Sequence, residues 1–378
     1  MVDLLKGSIL KHYNEVSREQ SSPGVTQLRK INNYAKTVLF STFSRKLGEY
    51  PSVLDMSCGR GGDIGKWEKR GYKRYVGFDI SPDSIQEAKK RWNEMKNRIE
   101  DSTFLVADFC DNNLQNILGK EKFDCVSCQF AAHYAFYSTK SVFIFLKNVT
   151  NLLKPGGTFL SIYTNGYSIM NKVLSQGTTR LGNSLYNLTI NTDISSYQLY
   201  SSMEWIRPGG VTYTFSLDGC VNNCPEFMAC IDDSQSGYTN YIDTIGLKRI
   251  YGNKIRFMCD RFGNDELARK MGVCNEFVNR RLWNKIHDIL EVSDIYTVCV
   301  FQKGGSVFEP QSFEEPQTKR RKSLNDFISV QDTPLQYFEG QKQRGDLQEE
   351  QGGSVGKTDS DLQTHPQASQ KYQHSNDS

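Results

Sequence analysis

The stretch Val53 to Ile80, V-L-D-M-S-C-G-R-G-G-D-I-G-K-W-E-K-R-G-Y-K-R-Y-V-G-F-D-I, constrains what this chain can fold into more than any other. Val53-Leu54-Asp55 reads as the end of a short buried strand, and Ser57 to Asp63 as a tight glycine-rich turn. Ile64 to Arg70 reads as a helix, and the apolar run Tyr75-Val76-Gly77-Phe78 as a second strand ending on Asp79. Strand, glycine loop, helix, strand and acid in that order describe a βαβ unit. Its glycines let the backbone turn sharply and approach a ligand closely. The acid at the tip of the second strand is placed to take both hydroxyls of a ribose.

Two cofactor classes use that layout. A dinucleotide loop reads G-x-G-x-x-G, and with Gly59 and Gly61 in place it requires glycine at position 64, which is isoleucine. What remains, an acid followed by x-x-C-G-x-G-G-D, resembles the S-adenosylmethionine loop of class I methyltransferases. A ligand-free glycine turn is the plainer alternative, and the paired strand-end acids described below argue against it.

With 378 residues the chain can bury a sizeable core in one large domain or two ordinary ones. The net charge of +3 is unevenly spread. From Gly304 onward there are 8 Lys/Arg against 12 Asp/Glu, which leaves 38 against 31 before it, a balance of +7. A basic folded part with an acidic tail suits an anionic substrate. The 10 cysteines precede residue 300, many inside apolar runs and in no paired framework. No signal peptide and no apolar run of membrane-spanning length is present, so the expectation is a soluble, reduced, intracellular protein.

Residues 1–50 have helical apolar spacing through Val2, Leu5 and Ile9 and again through Ile31, Ala35, Val38 and Leu39, with Ser17 to Gly24 a polar loop between them. Residues 51–303 carry the main domain. After Asp79, Ser81-Pro82-Asp83-Ser84 starts a helix expected to run to about Arg98 with a basic face. Phe104 to Asp108 and Phe123 to Gln129 read as further strands, and Lys154-Pro155-Gly156-Gly157 as the turn into a strand from Thr158 to Tyr163. The fold class this predicts is α/β: a Rossmann-like, mostly parallel doubly wound sheet with helices on both faces. From about 164 to 236 the rhythm breaks, and the segment reads as an insertion over the active-site mouth. Helices are expected over Tyr238–Arg249 and Glu276–Glu291, and a closing strand over Ile295–Phe301. Residues 304–378, with 12 Gln and neither Cys nor Trp, read as a disordered polar tail.

Asp79 and Asp108 stand at the ends of successive strands, the edge where open α/β sheets bind ligands. Alone, each is as readily a turn or cap residue; beside the glycine loop they point to ribose hydroxyls and an adenine amino group, respectively. Asp63 is placed to cap the helix it opens. Cys125-Val-Ser-Cys128 has C-x-x-C spacing with Cys220 and Cys224 downstream, but strand residues three apart face opposite sides, so no metal site is expected. His133, between Phe130 and Tyr134 at the end of the fourth strand, reads as part of a wall for a flat heterocycle.

Several further pieces, in order, make the resemblance specific: His12-Tyr13-Asn14-Glu15, Asn32-Asn33-Tyr34-Ala35-Lys36, the Asp55–Asp63 loop with Lys66-Trp67, Ser127 and Gln129-Phe130 with His133-Tyr134, Lys154-Pro155-Gly156-Gly157, Asn222-Asn223-Cys224-Pro225-Glu226 and Ile295-Tyr296. Over roughly residues 10–303 the chain resembles eukaryotic mRNA cap guanine-N7 methyltransferases. That resemblance implies transfer of a methyl group from S-adenosylmethionine to N7 of a 5′ terminal guanosine, with no general base. It implies a cofactor site of Lys36, Asp55, Ser57, Gly59, Asp79, Asp108, Gln129 and Tyr134. For the cap it implies Asn32, Asn33, Phe130, His133, Glu226 and Tyr296, with Arg60, Lys66 and Arg91 on the phosphates. Capped RNA is the implied partner, with other capping enzymes or RNA polymerase II as protein partners; without a coiled-coil repeat a monomer is expected. The run Lys319-Arg320-Arg321-Lys322 fits a nuclear import signal and equally an ordinary solvated charge run. Two positions depart from the family's D-L-G-C-G-K-G-G-D loop: Ser57 replaces its first glycine and Arg60 its lysine. Arginine preserves the charge. If position 57 needs positive φ, serine there is expected to weaken cofactor binding.

Overall fold

A computed structural model describes residues 21–191, 210–231 and 239–304, together with residue 7. Helix α1 (Pro23–Phe43) precedes strand β1 (Ser52–Met56), α2 (Ile64–Lys69) and β2 (Arg74–Asp79). Next come α3 (Pro82–Glu94), β3 (Asp101–Val106), α4 (Leu114–Leu118), β4 (Phe123–Gln129), α5 (Thr139–Leu152), β5 (Leu153–Thr164) and α6 (Gly166–Gln176). Strands β6 (Arg180–Gly182), β7 (Tyr186–Ile190), β8 (Thr212–Leu217) and β9 (Val221–Phe227) follow. The described chain closes with α7 (Thr239–Thr244), β10 (Leu247–Lys254), α8 (Ile255–Phe262), α9 (Asp265–Lys270), α10 (Asn275–Val278), α11 (His287–Ser293) and β11 (Tyr296–Lys303).

The main sheet has the order β10-β11-β5-β4-β1-β2-β3. Strands β3, β2, β1, β4 and β5 run parallel, and β11 and β10 add an antiparallel edge. Every residue of β1 is buried, as expected of a parallel strand covered on both faces. Cys125 packs in the core under α1, whereas Val126 and Cys128 pack on the opposite side with α5 residues such as Phe145, so the two cysteines do face apart. Between β1 and β4 the strand order reverses, and such a switch point opens a crevice at the carboxyl ends of the strands.

Buried Asp124 ties the back of this sheet together. Its carboxylate accepts hydrogen bonds from the Leu47 and Ser52 amides, the Ser52 hydroxyl and, at 2.7 Å, the Lys154 ammonium. The lysine of the Lys154-Pro155-Gly156-Gly157 turn therefore has a structural partner, and Gly156 takes φ +80°.

Several boundaries depart from expectation. Ser22-Pro23-Gly24 is the start of α1, because the Ser22 hydroxyl accepts the Val25 amide and proline fits the first helical turn. Helix α3 stops at Glu94. Asp108 lies beyond the last residue of β3, Val106. Among the described residues of the Tyr238–Arg249 segment only α7 is helical; Gly246, at φ +80°, follows it, and Leu247 enters β10 against β11. The Glu276–Glu291 segment is split into α10, a 3₁₀ stretch Arg280–Ile286 and α11, with the Asn279 side chain accepting the Arg281 amide at the break. The insertion begins with α6 and builds an antiparallel sheet of order β6-β7-β8-β9. The His12–Glu15 piece, parts of the insertion (192–209 and 232–238) and the 305–378 tail with its basic run lie outside the described residues.

Candidate active site

A cavity of about 570 Å³ opens at the crevice. Asn32, Asn33 and Lys36 face it from α1; Ser57, Gly59 and Arg60 from the loop after β1; Asp79 and Asp108 from the ends of β2 and β3; and Arg91 from α3. Gln129, Phe130, His133 and Tyr134 close it after β4, Glu226 reaches it from β9 and Tyr296 from β11. Chain folding thus brings together every predicted site residue except Asp55 and Lys66.

Asp55 stands behind the wall, and Lys66 stands at its edge against Asn33, Gly62 and Asp63. Asp55 is 2% exposed, and its carboxylate accepts a hydrogen bond from the Tyr75 hydroxyl at 3.1 Å. Burial, then the nearby Asp63 charge, pushes its carboxyl up. Lys66 points back to Asp63 at 2.7 Å, and donates to the Gly62 carbonyl and to Asn33 Oδ1. Asp63 is shared with Lys36, so the three side chains together keep a net positive charge. Asp63 does not cap α2 through its side chain, because its carboxylate is engaged by Lys66 and, at 2.8 Å, by Lys36. Burial works to raise Asp63, but the two ammonium groups outweigh it and hold the carboxyl below its ordinary value.

The loop explains its composition. Ser57, Gly59 and Gly61 have φ of +59°, +52° and +72°. A Cβ on Gly61 would stand 2.7 Å from Ile64 Cδ1 and 3.2 Å from the Ala88 Cα, so close packing of the loop on α3 needs glycine there. Serine at 57 pays a steric penalty for the left-handed conformation that glycine avoids. The Gly59 amide donates to one Asp79 oxygen at 2.9 Å and the Ser81 amide to the other at 2.9 Å. These bonds orient the carboxylate toward the cavity, and burial pushes its pKa up. Asp108 is fixed similarly by the Cys110 amide at 2.8 Å.

The opposite wall is aromatic. Phe130, at φ +59°, stands edge-on to Tyr296 with ring centroids 5.1 Å apart. Such a backbone conformation is costly for a bulky residue and clusters at functional sites. The His133 and Tyr134 rings are 4.3 Å apart. Glu226, 4% exposed, accepts a hydrogen bond from the Tyr213 hydroxyl at 2.7 Å. Burial raises its carboxyl to about 7 and lowers His133 to about 3. His133 Nε2 lies 3.6 Å from Glu226, so a neutral ring faces the acid rather than an ion pair.

Three buried groups in the wall carry polar atoms with no hydrogen-bond partner: Asn32 Oδ1, Gln129 Oε1 and both His133 ring nitrogens. Unpaired buried polar atoms are costly, and here they converge on one cavity. Together with the amide-anchored acids they fit a nucleoside-bearing ligand on the β2–β3 side and a polar heterocycle on the Glu226 side.

Tyr213 escapes a motif search. Its signal was available in β8, T-Y-T-F-S-L, whose odd-even alternation buries Tyr213, Phe215 and Leu217. The Lys36–Asp63 contact spans 27 residues and has no local signature. Arg29 and Cys220 also line the cavity, and the Arg29 guanidinium donates to the Gly219 carbonyl at 3.0 Å. Among the described residues no group of His, Cys, Asp and Glu is arranged to hold a metal ion.

Five parallel strands in the order β3-β2-β1-β4-β5, a glycine loop at the switch point and acids at the next two strand ends define a class I methyltransferase fold with an additional sheet at its mouth. The chain belongs to the mRNA (guanine-N(7))-methyltransferase domain family, whose model matches residues 5–304. It is 35% identical over 241 residues to the mRNA cap guanine-N(7) methyltransferase of Caenorhabditis elegans, covering 58% of this chain and 60% of that protein. It is 34% identical over 230 residues to the mRNA cap guanine-N(7) methyltransferase of Schizosaccharomyces pombe, covering 58% and 61%. The chain thus spans about 60% of the length of these curated relatives. Among solved structures, a methyltransferase from Streptomyces caelestis aligns with TM-score 0.43 and 12% identity over 79% of this chain and 97% of that one.

Proposed function

We propose that the protein transfers a methyl group from S-adenosylmethionine to N7 of the guanosine that caps RNA. The observation that carries this reading is Glu226: a buried carboxylate, fixed by Tyr213 and flanked by a neutral imidazole, on the wall of a cavity that also presents Asp79 and Asp108. A carboxylate accepts the N1–H and exocyclic amine of guanine together, which an adenine or pyrimidine does not offer.

When bound, S-adenosylmethionine supplies a methyl carbon on a positively charged sulfur. Asp79 would take its ribose hydroxyls, Asp108 its adenine amino group, and Lys36, Gln129, Ser57, Gly59 and Tyr134 its methionine end and flank. Asp55 acts from behind the loop, through Tyr75. Phe130 and Tyr296 would wall the guanine, Asn32, Asn33 and His133 donate to or accept from its polar edge, and Arg60 and Arg91 meet the cap phosphates. N7 of guanine carries a lone pair and no proton, so no general base is required. What the residues supply is alignment of nucleophile and methyl carbon, an effect worth about 7–11 kcal/mol when geometry is right. The Glu226 charge favours the cation that develops on the purine. His133, held neutral, positions the base rather than shuttling a proton.

Capped transcripts as substrate suit residence in the nucleus and encounters with other capping enzymes or RNA polymerase II, with the enzyme acting as a monomer. The decisive assay is transfer of labelled methyl from S-adenosylmethionine to GpppA-capped RNA, with m7GpppA-capped RNA as control. Label in the first alone is expected. Label in both, or in neither while the cofactor binds, would refute N7 of the cap as the acceptor.

A further inference from the structure

The cavity accommodates the cap, and the remainder of an RNA chain must leave it across the protein surface. Lys66 marks one such exit, because its ammonium contacts Asn33, Gly62 and Asp63, all of which line the cavity, from the outer side. Beyond it, Lys69 ends α2, Arg70 caps it, and Lys73 follows in the turn through Gly71 that leads into β2. Lys46 is laid against the end of this helix, its ammonium donating to the Arg70 carbonyl at 3.2 Å, and the Tyr72 hydroxyl fixes the neighbouring Arg45 carbonyl at 2.5 Å.

Lys46, Lys69 and Lys73 are exposed. Among the described residues no carboxylate pairs with them or with Arg70, whereas nearby Arg74 is engaged by Asp101 and Glu121. Arg70 Nε is buried and has no hydrogen-bond partner. Three exposed ammonium groups close together with no carboxylate paired to them leave this surface positive, and such a surface favours an anion.

We propose that the C-terminal end of α2 and the turn to Lys73, with the Arg45–Lys46 segment beside them, carry the phosphates of the RNA chain downstream of the cap. The inference rests on the cap reading above, and it selects RNA over an acidic protein because the track begins at the rim where Arg60 stands to meet the cap phosphates. Capped RNA is then gripped at two places, by its guanosine in the cavity and by its backbone at the C-terminal end of α2, and longer capped RNAs are better substrates than the capped dinucleotide.

The test uses the full chain and the charge-reversed variant K46E/K69E/K73E, none of whose positions lines the cavity. Kinetics are measured on GpppA and on a GpppA-capped 20-mer, and binding of an uncapped 5′-triphosphate 20-mer is followed by anisotropy from 50 to 200 mM salt. The wild-type protein is expected to show a lower KM for the 20-mer than for GpppA, and the variant to lose that advantage while its GpppA kinetics are unchanged. Losing three phosphate contacts flattens the log–log salt slope by about 2, so that across the fourfold salt range the wild type loses about 16-fold more affinity than the variant. Equal slopes and an equal length advantage in both proteins overturn the proposal and assign the surface to an acidic protein instead. Absence of a length advantage in the wild type overturns it as well. Failure to methylate GpppA at all sinks the cap reading, and the anisotropy arm still decides whether the track binds RNA. Should charge reversal lower the melting temperature, K46Q/K69Q/K73Q is measured in its place, with the same outcomes.

Discussion

Glu226→Gln should make the protein more stable and almost inactive. The Glu226 carboxyl ordinarily titrates near 4.5, and in the folded protein near 7, because burial disfavours its charge more than the Tyr213 hydroxyl favours it. Between those values the folded state retains a proton that the unfolded chain has released, so stability falls as pH rises through that window. At about 1.36 kcal/mol per pH unit, the full cost of ionising the group is about 3 kcal/mol above pH 8 and vanishes below pH 4.5. Glutamine is nearly isosteric with the protonated acid, and its amide oxygen can accept from Tyr213. In urea denaturation, wild type and variant should therefore match near pH 4, and the variant should gain up to about 3 kcal/mol at pH 8. Other buried acids such as Asp55 are common to both proteins and cancel in the difference. Methyl transfer should fall by about 2–5 kcal/mol in kcat/KM, since the amide puts a donor where guanine also donates. Guanine binding stabilises the charged form, so in wild type KM for capped RNA should fall as pH rises through 7. A stability difference that does not change between pH 5 and pH 8 would refute the assignment of a strained buried charge to Glu226.

Removing the carboxylate that ties the back of the sheet, Asp124→Ala, strands two amides, a hydroxyl and an ammonium. A loss of about 3–5 kcal/mol is expected in denaturant titration, and a loss under about 1 kcal/mol would mean that water replaces these bonds freely. Ser57→Gly relieves a left-handed serine at φ +59°. It should raise the melting temperature by about 2–4 °C, corresponding to about 1 kcal/mol, and tighten S-adenosylmethionine binding in calorimetry. No change in either would show that the loop carries no strain.

The sequence alone determined the chain's βαβ core, because that information is local. The glycine loop at 57–63, the acids 79 and 108 and the alternation of apolar runs are dictated by backbone sterics and burial period, which short windows display. It also separated Cys125 from Cys128, since strand geometry alone puts them on opposite faces. Only the tertiary structure decided which charges face the cavity. Asp55 carries the right chemistry, yet it is bonded to Tyr75 behind the wall, and Lys66 leans on Asp63 at the cavity's edge. Tyr213 became a site residue only through its register with Glu226 across β8 and β9. Asp63 became a partner of Lys36 rather than a helix cap because α1 packs beside the loop. Contacts between residues far apart in sequence depend on how elements pack, and packing is a property of the whole chain that no single stretch encodes.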